Sequence, residues 1–531
     1  MTQRTLHLGD IIEALADAVP DHLAVTTGRD QLTYRELDER ATRLAHHLAG
    51  TGVGPGDRVA IHSENCLEWI ESFYACLKIR AVPININFRY VTKELRYLYD
   101  DADCVASIVA PRYAPMVESL QESMPALHTV LSIGPDYEAA LAAASPERDF
   151  GPRSPDDEYV VYTGGTTGMP KGVLWRQEDI VFGAMNTMRQ GRPISGVEQL
   201  AEEARSAPHQ LRLLTVGPMM HGGSQWIMGA AHLAGGALIL YCEPAFDAYK
   251  ALQLASDAKA NVFATMGDAV GRPLAEAISD PNWTTPDLSS LIIFGNGAAP
   301  LSTAVREQLK QALPHAMILD SYGASETGAA ASRPDSGVKH AAPRFDAGTD
   351  VTVVKPDLSA VSRPGEVGML ARSGHIPLGY IKDPERTAKT FPVIAGKRWV
   401  IPGDYARIEE DGSISLLGRG STSINTGGEK VYPEEVEAAL KEHPAVMDAA
   451  VIGTPHPRWG EQVTALVTLR VDHVADQDEL REHCRPRIAA FKIPKSVLVV
   501  VAVPRTAVGK VDYPQVKKTA VDLLHAPPSS S

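Results

Sequence analysis

Short apolar runs of strand length alternate with stretches of helix length, and this rhythm restricts the chain to layered sheets flanked by helices. Leu37, Ala41, Leu44, Ala45 and Leu48 fall on one helical face. Gly52-Val-Gly-Pro-Gly-Asp57 then breaks the helix, and Arg58-Val-Ala-Ile-His62 reads as a strand. Similar apolar runs recur at Cys104–Ala110, Tyr159–Tyr162, Leu238–Tyr241 and Leu291–Phe294, so the fold class is α/β. At 531 residues the chain exceeds what one core usually holds, and two or more domains are expected.

The net charge of −14, without a basic cluster, argues against nucleic acid as a partner, because neutralising phosphates requires a positive surface. Any positive charges that meet phosphate must be local. The five cysteines, Cys66, Cys76, Cys104, Cys242 and Cys484, show no Cys-x-x-Cys spacing. They read as buried apolar side chains in a reducing compartment, with no structural zinc. Met1 to Pro20 lacks a basic segment followed by an apolar core, and the longest apolar run, Gly229 to Cys242, is too short to span a bilayer. A soluble cytoplasmic protein is expected, with homodimerisation open.

Between Tyr162 and Val173 the chain reads Tyr-Thr-Gly-Gly-Thr-Thr-Gly-Met-Pro-Lys-Gly-Val. Glycines let backbone N–H groups turn toward an anion, threonine hydroxyls add donors, and Lys171 supplies a mobile positive charge. The expected structure is a loop wrapped around a polyphosphate, with Thr163, Gly164, Gly165, Thr166, Thr167 and Lys171 as its contacts. It is not the common P-loop, since Lys171 lies between Pro170 and Gly172 with no hydroxyl directly after it.

Four further segments follow in fixed order: Tyr322-Gly-Ala-Ser-Glu-Thr327; Gly403-Asp404; Gly418-Arg419 with Gly427-Gly-Glu-Lys430; and Pro504-Arg-Thr-Ala-Val-Gly-Lys510. Together they resemble the AMP-forming adenylating enzymes, a superfamily that holds acyl-CoA synthetases, adenylation domains of peptide synthetases, and luciferases. Asn85-Ile-Asn-Phe-Arg-Tyr90, Gly374-His-Ile-Pro-Leu-Gly-Tyr380 and Val431-Tyr-Pro-Glu-Glu-Val436 bring the chain nearest to actinobacterial fatty-acid and steroid side-chain CoA ligases.

The resemblance implies a large N-terminal domain, 1–419, that binds ATP and the acid. A small mobile α/β lid, 420–525, carries the catalytic lysine, and a tail, 526–531, is expected to be disordered. Ser421 would be the pivot, where the family commonly has Asp or Lys.

Carboxylate attack on the α-phosphate of ATP brings anions together, so the site must neutralise charge and align the reactants. By resemblance, Glu326 holds Mg2+ and Ser325 offers a hydroxyl to the α-phosphate. Tyr322 stacks on adenine and Asp320 accepts from its amino group, with Gly297, Ala298 and Gly323 completing the nucleotide contacts. Asp404 and Arg419 hold the ribose. Lys510 bridges acid and phosphate during adenylation; the lid then rotates and presents Gly427, Gly428 and Glu429 to the CoA thiol.

His221 matches the gate between acid pocket and CoA tunnel and is assigned a catalytic role. Trp226 is expected to shorten the pocket, Ala324 to line it, and Asn296 to offer a buried amide that seeks a polar partner on the substrate. These features favour activation of a small or aromatic carboxylic acid with ATP, Mg2+ and CoA. Two alternatives stand beside it: a diazotase that adenylates nitrite and passes nitrogen to an aryl amine, and a fatty or steroid side-chain acyl-CoA ligase.

Overall fold

The computed structural model describes residues 4–525 except 166–167, 190–191, 300, 336–342, 360, 420–423, 427–428, 457–459, 489 and 507–510. The pivot Ser421, the tail 526–531, and Thr166, Thr167, Gly427, Gly428 and Lys510 therefore lie outside the described residues.

The helix Tyr34–Gly50 shows how local sequence fixes an element. Its N-terminus carries a capping box: the Thr33 hydroxyl accepts from the Glu36 N–H at 3.3 Å, and the Glu36 carboxylate accepts from the Thr33 N–H at 2.8 Å. Leu37, Ala41, Leu44, Ala45 and Leu48 are all buried. Gly52, at φ +97°, then turns the chain through the left-handed region that glycine enters at low cost.

The strand Arg58–His62 lies inside a parallel sheet ordered Val82–Asn85, Arg58–His62, Cys104–Val109, Thr129–Ser132. Parallel neighbours require crossovers, which the helices Leu67–Lys78, Thr92–Asp101 and Ala114–Gln121 supply.

A larger sheet has a parallel centre and an antiparallel flank. Arg212–Thr215, Val262–Thr265, Ile293–Asn296 and Met317–Ala324 run parallel. Gly328–Pro334 then folds back on Met317–Ala324 and leads through Arg344–Ala347 to Ile414–Arg419 and Asp404–Ile408. The carboxyl ends of the parallel strands thus meet the hairpin turn at residues 324–328, the kind of edge where open α/β sheets hold ligands.

The glycine-rich stretch is not a free loop. It forms the tip of an antiparallel hairpin, Glu158–Gly165 with Gly168–Arg176, in which Thr163 faces Lys171 and Gly165 faces Gly168. Tyr159–Tyr162, Val173 and Trp175 are buried strand residues whose pairing carries the ladder out to the glycines. Gly379–Tyr380 adds a third strand.

From Ile424 a second unit packs its own core of Ile424, Val436, Leu440, Val451, Val467 and Leu480. Gly418, at φ +101°, faces the Glu434 carboxylate of the helix Pro433–Lys441 so closely that a Cβ would collide with it. The expected strand at Leu291–Phe294 occupies Ile293–Asn296. The apolar run Gly229–Cys242 divides between the helix Gly222–Leu233 and the strand Ala237–Leu240. Among the described residues no helix is long and apolar enough to cross a membrane. Cys76, Cys104 and Cys484 are buried as expected, but Cys66 is only half-buried and Cys242 is exposed.

Candidate active site

Glu326 occupies the turn between Met317–Ala324 and Gly328–Pro334. The turn closes because Thr327 Oγ1 accepts from the Ala324 N–H at 2.9 Å, and because Gly328, at φ +64°, approaches the Gly183 carbonyl where a Cβ would collide. Ser325 and Ala324 flank Glu326, half-buried, and Gly323 packs against the returning strand.

The Glu326 side chain is buried, yet it has two partners. Its Oε1 accepts from the Tyr380 hydroxyl at 2.9 Å and lies 2.9 Å from Lys171 Nζ. Lys171 also donates to the Tyr380 oxygen at 3.1 Å and sits 4.4 Å over its ring. Burial by itself would push the Glu326 carboxyl up; the Lys171 ammonium and the Tyr380 hydroxyl outweigh it and hold the group below the usual glutamate value. Lys171, read from sequence as a mobile charge, is thus engaged with the carboxylate predicted to hold metal. Nothing in the spacing of Gly374-His-Ile-Pro-Leu-Gly-Tyr380 places Tyr380 beside Glu326; the strand pairing of Gly379–Tyr380 does.

An ionised, buried carboxylate at this edge fits Mg2+, a hard cation that takes one or two carboxylates and completes its shell with phosphate and water. No group of three or more His, Cys, Asp or Glu able to hold a metal exists among the described residues. Glu326 would hold that ion, which would neutralise developing phosphate charge.

At the nucleotide end, Asp404 opens the strand Asp404–Ile408 and pairs in register with Arg419. Its Oδ2 accepts from the Tyr322 hydroxyl at 2.8 Å, which brings two expected nucleotide contacts together. Sequence reading gave Tyr322 only a stacking role and missed this bond. The side chain of Arg419 lies outside the described residues.

Asn296 and Asp320 serve the frame. Asn296 Oδ1 accepts from the Gly267 N–H at 2.8 Å, and its Nδ2 donates to the Ala299 carbonyl at 3.2 Å and to Asp320 Oδ1 at 3.0 Å. The buried amide therefore finds its partners inside the protein, where a substrate group had been expected. Asp320 Oδ2 pairs with Arg306 at 2.8 Å, so both of its oxygens have partners within the protein. The adjoining backbone is unusual: Ala298 has φ +61°, and the Gly297 N–H donates to the Thr265 carbonyl at 3.2 Å.

His221 precedes the helix Gly222–Leu233 and lines a cleft of about 20 Å³ with Tyr90, Tyr162 and Met220. Asn85 fixes both walls: its Nδ2 donates to the carbonyls of Met220 at 2.5 Å and Tyr162 at 2.9 Å, and its Oδ1 accepts from the Tyr162 N–H at 2.8 Å. Trp226 lies one turn along the helix, half-buried, with its indole over Gly222. Glu429 begins the strand Glu429–Val431 opposite Thr426, and its side chain is not described.

The AMP-binding enzyme family matches residues 12–380, and the AMP-binding enzyme C-terminal domain matches residues 435–510. The chain belongs to the AMP-binding enzyme family. Relatives within it are named as acyl-CoA ligases, as the sequence resemblance implied. The chain is 43% identical over 532 residues to a 3-oxocholest-4-en-26-oate–CoA ligase of Rhodococcus rhodochrous, covering 96% of this chain and 95% of that protein. It is 42% identical over 529 residues to a medium/long-chain-fatty-acid–CoA/3-oxocholest-4-en-26-oate–CoA ligase of Mycolicibacterium smegmatis, again covering 96% and 95%. Among solved structures, ATP-bound MatB from Rhodopseudomonas palustris superposes with a TM-score of 0.83 at 28% identity, over 98% of this chain and 100% of that one. The mixed α/β architecture expected from sequence is the fold of this family.

Proposed function

We propose that this AMP-forming ligase activates a medium- or long-chain fatty acid or a steroid side-chain acid and transfers the acyl group to CoA. The observation that carries the reading is full-length similarity above 40% to ligases named for those acids. It displaces the small or aromatic acid favoured from Trp226 and Asn296. Asn296 has its partners within the protein. The relatives reported above are CoA ligases, which leaves the diazotase alternative without support.

In the reaction, a carboxylate oxygen attacks the α-phosphorus of ATP, the bond to the bridging oxygen breaks, and pyrophosphate leaves. The CoA thiolate then attacks the acyl carbonyl and AMP departs with the bridging oxygen. Lys171 and Lys510 would neutralise phosphate oxygens, Thr163 to Thr167 would supply donors, Asp404 and Arg419 would grip the ribose, and Glu326 would hold Mg2+. We assign the lid to residues 420–525, with its exchange of Lys510 for Gly427, Gly428 and Glu429 separating the two steps. A pyrophosphate-release screen across fatty, steroid and aryl acids, with and without CoA, tests the reading. Turnover with fatty or steroid acids supports it; turnover with aryl acids alone overturns the substrate class.

A further inference from the structure

We propose that Trp175 and Arg372 are positioning residues for the Glu326 carboxylate, an inference that rests on the assignment of Glu326 as the magnesium ligand. Two carbonyls of the turn, those of Ser325 and Thr327 on either side of Glu326 in sequence, are gripped from outside its own hairpin. Trp175, on the strand Gly168–Arg176, donates Nε1–H to the Ser325 carbonyl at 3.1 Å. Arg372, ending the strand Val367–Arg372, donates from Nη1 to the Thr327 carbonyl at 2.5 Å. The same nitrogen reaches the carbonyls of Gly183 at 2.7 Å and Ala329 at 3.1 Å, while Nε pairs with Asp350 at 2.8 Å. Both side chains are buried.

Trp175 fixes the Ser325–Glu326 peptide plane, which contains the Glu326 Cα, and Arg372 fixes the Thr327–Gly328 plane that closes the turn; held at both ends, the short backbone between them keeps the direction of the Glu326 side chain. Trp175 stands four residues from Lys171 on one strand, on the same face. A single rigid element therefore places both the ammonium beside Glu326 and the donor behind it. Arg372 ties the other side of the turn to Gly183, in the π-helical turn Val181–Met185. Such turns recur at functional sites because the extra residue frees a carbonyl for a bond outside the helix. In a buried setting these carbonyls have no water to fall back on, so the turn keeps its geometry only while both donors remain.

The test is calorimetric titration of ATP binding to the full chain at increasing free Mg2+, in wild type, Glu326→Gln, Trp175→Phe and Arg372→Lys. Trp175→Phe deletes the N–H and keeps most of the ring. The half-saturating Mg2+ concentration should rise about threefold to tenfold in Trp175→Phe and Arg372→Lys, the effect of one lost buried hydrogen bond. It should rise further in Glu326→Gln, while ATP affinity in chelator stays unchanged in Trp175→Phe and Arg372→Lys. A packing role alone lowers the melting temperature and leaves the Mg2+ midpoint in place. If Glu326→Gln moves the midpoint and neither other variant does, the positioning role is overturned. If Glu326→Gln leaves it unmoved, the magnesium assignment fails and this inference with it. Should Arg372→Lys not fold, Trp175→Phe decides.

Discussion

Replacing Lys171 by methionine keeps most of the side-chain volume and removes the charge that faces Glu326. At 2.9 Å and an effective dielectric near 20, the two charges attract by about 6 kcal/mol before desolvation is counted. Breaking a fully buried pair costs roughly 3–5 kcal/mol. Here the side chains are 24% and 11% exposed, so screening brings the expected loss of stability to about 2–3 kcal/mol. The pH dependence has a definite sign. Glu326 is held below its ordinary value, so the pair's stabilisation is present above that value and is lost as pH falls through the lowered one. Without Lys171, burial dominates and the carboxyl rises, so the acid limb of ATP–pyrophosphate exchange should move to higher pH. Thermal unfolding of Lys171→Met, Glu326→Gln and the double variant supplies the coupling energy, and the exchange pH profile supplies the shift. Additive stability losses together with an unmoved acid limb would refute the reasoning.

Asp404→Ala should raise the Michaelis constant for ATP by about tenfold or more, because a bidentate acceptor is lost in ground and transition states alike; an unchanged ATP dependence would remove the ribose role. Trp226→Ala should shift preference toward bulkier acids by about 1–3 kcal/mol in kcat/KM, and an unaltered chain-length profile would return the indole to core packing alone. Three buried histidines are held neutral chiefly by burial: His7 is lowered to about 3, and His62 and His232 to about 4. Their unfolded forms bind protons first, so each should cost stability by about 1.4 kcal/mol per pH unit below its ordinary value, down to its lowered one. A melting temperature that stays flat between pH 7 and pH 5 contradicts this.

Much of the fold was legible because it is written in local periodicity. The buried face from Leu37 to Leu48 and the strand after Gly52 follow from spacing and a helix stop alone. The hairpin that the glycine-rich segment forms was not legible, since pairing with a second strand is a tertiary fact. The same limit explains Asn296 and Asp320. A buried amide and an acid at strand ends look available in sequence, and only tertiary packing brings Gly267 and Arg306, from the start of one helix and the body of another, to them. Tyr380, Trp175 and Arg372 were invisible as site residues for that reason as well. Each reaches Glu326 or its turn from a strand distant in sequence.

The central claim is that the acid is activated as its adenylate and passed to CoA, and an isotope experiment tests it most directly. A fatty or steroid side-chain acid labelled with ¹⁸O in its carboxylate is turned over with ATP and CoA, and the products are weighed by mass spectrometry. The account predicts AMP carrying one ¹⁸O, unlabelled pyrophosphate and an acyl-CoA that retains one label, with Lys510→Ala suppressing formation of labelled AMP by about 10²-fold or more. It also predicts that the variant still converts supplied acyl-AMP to thioester. Formation of ADP with labelled inorganic phosphate, or thioester made without label entering AMP, would contradict it.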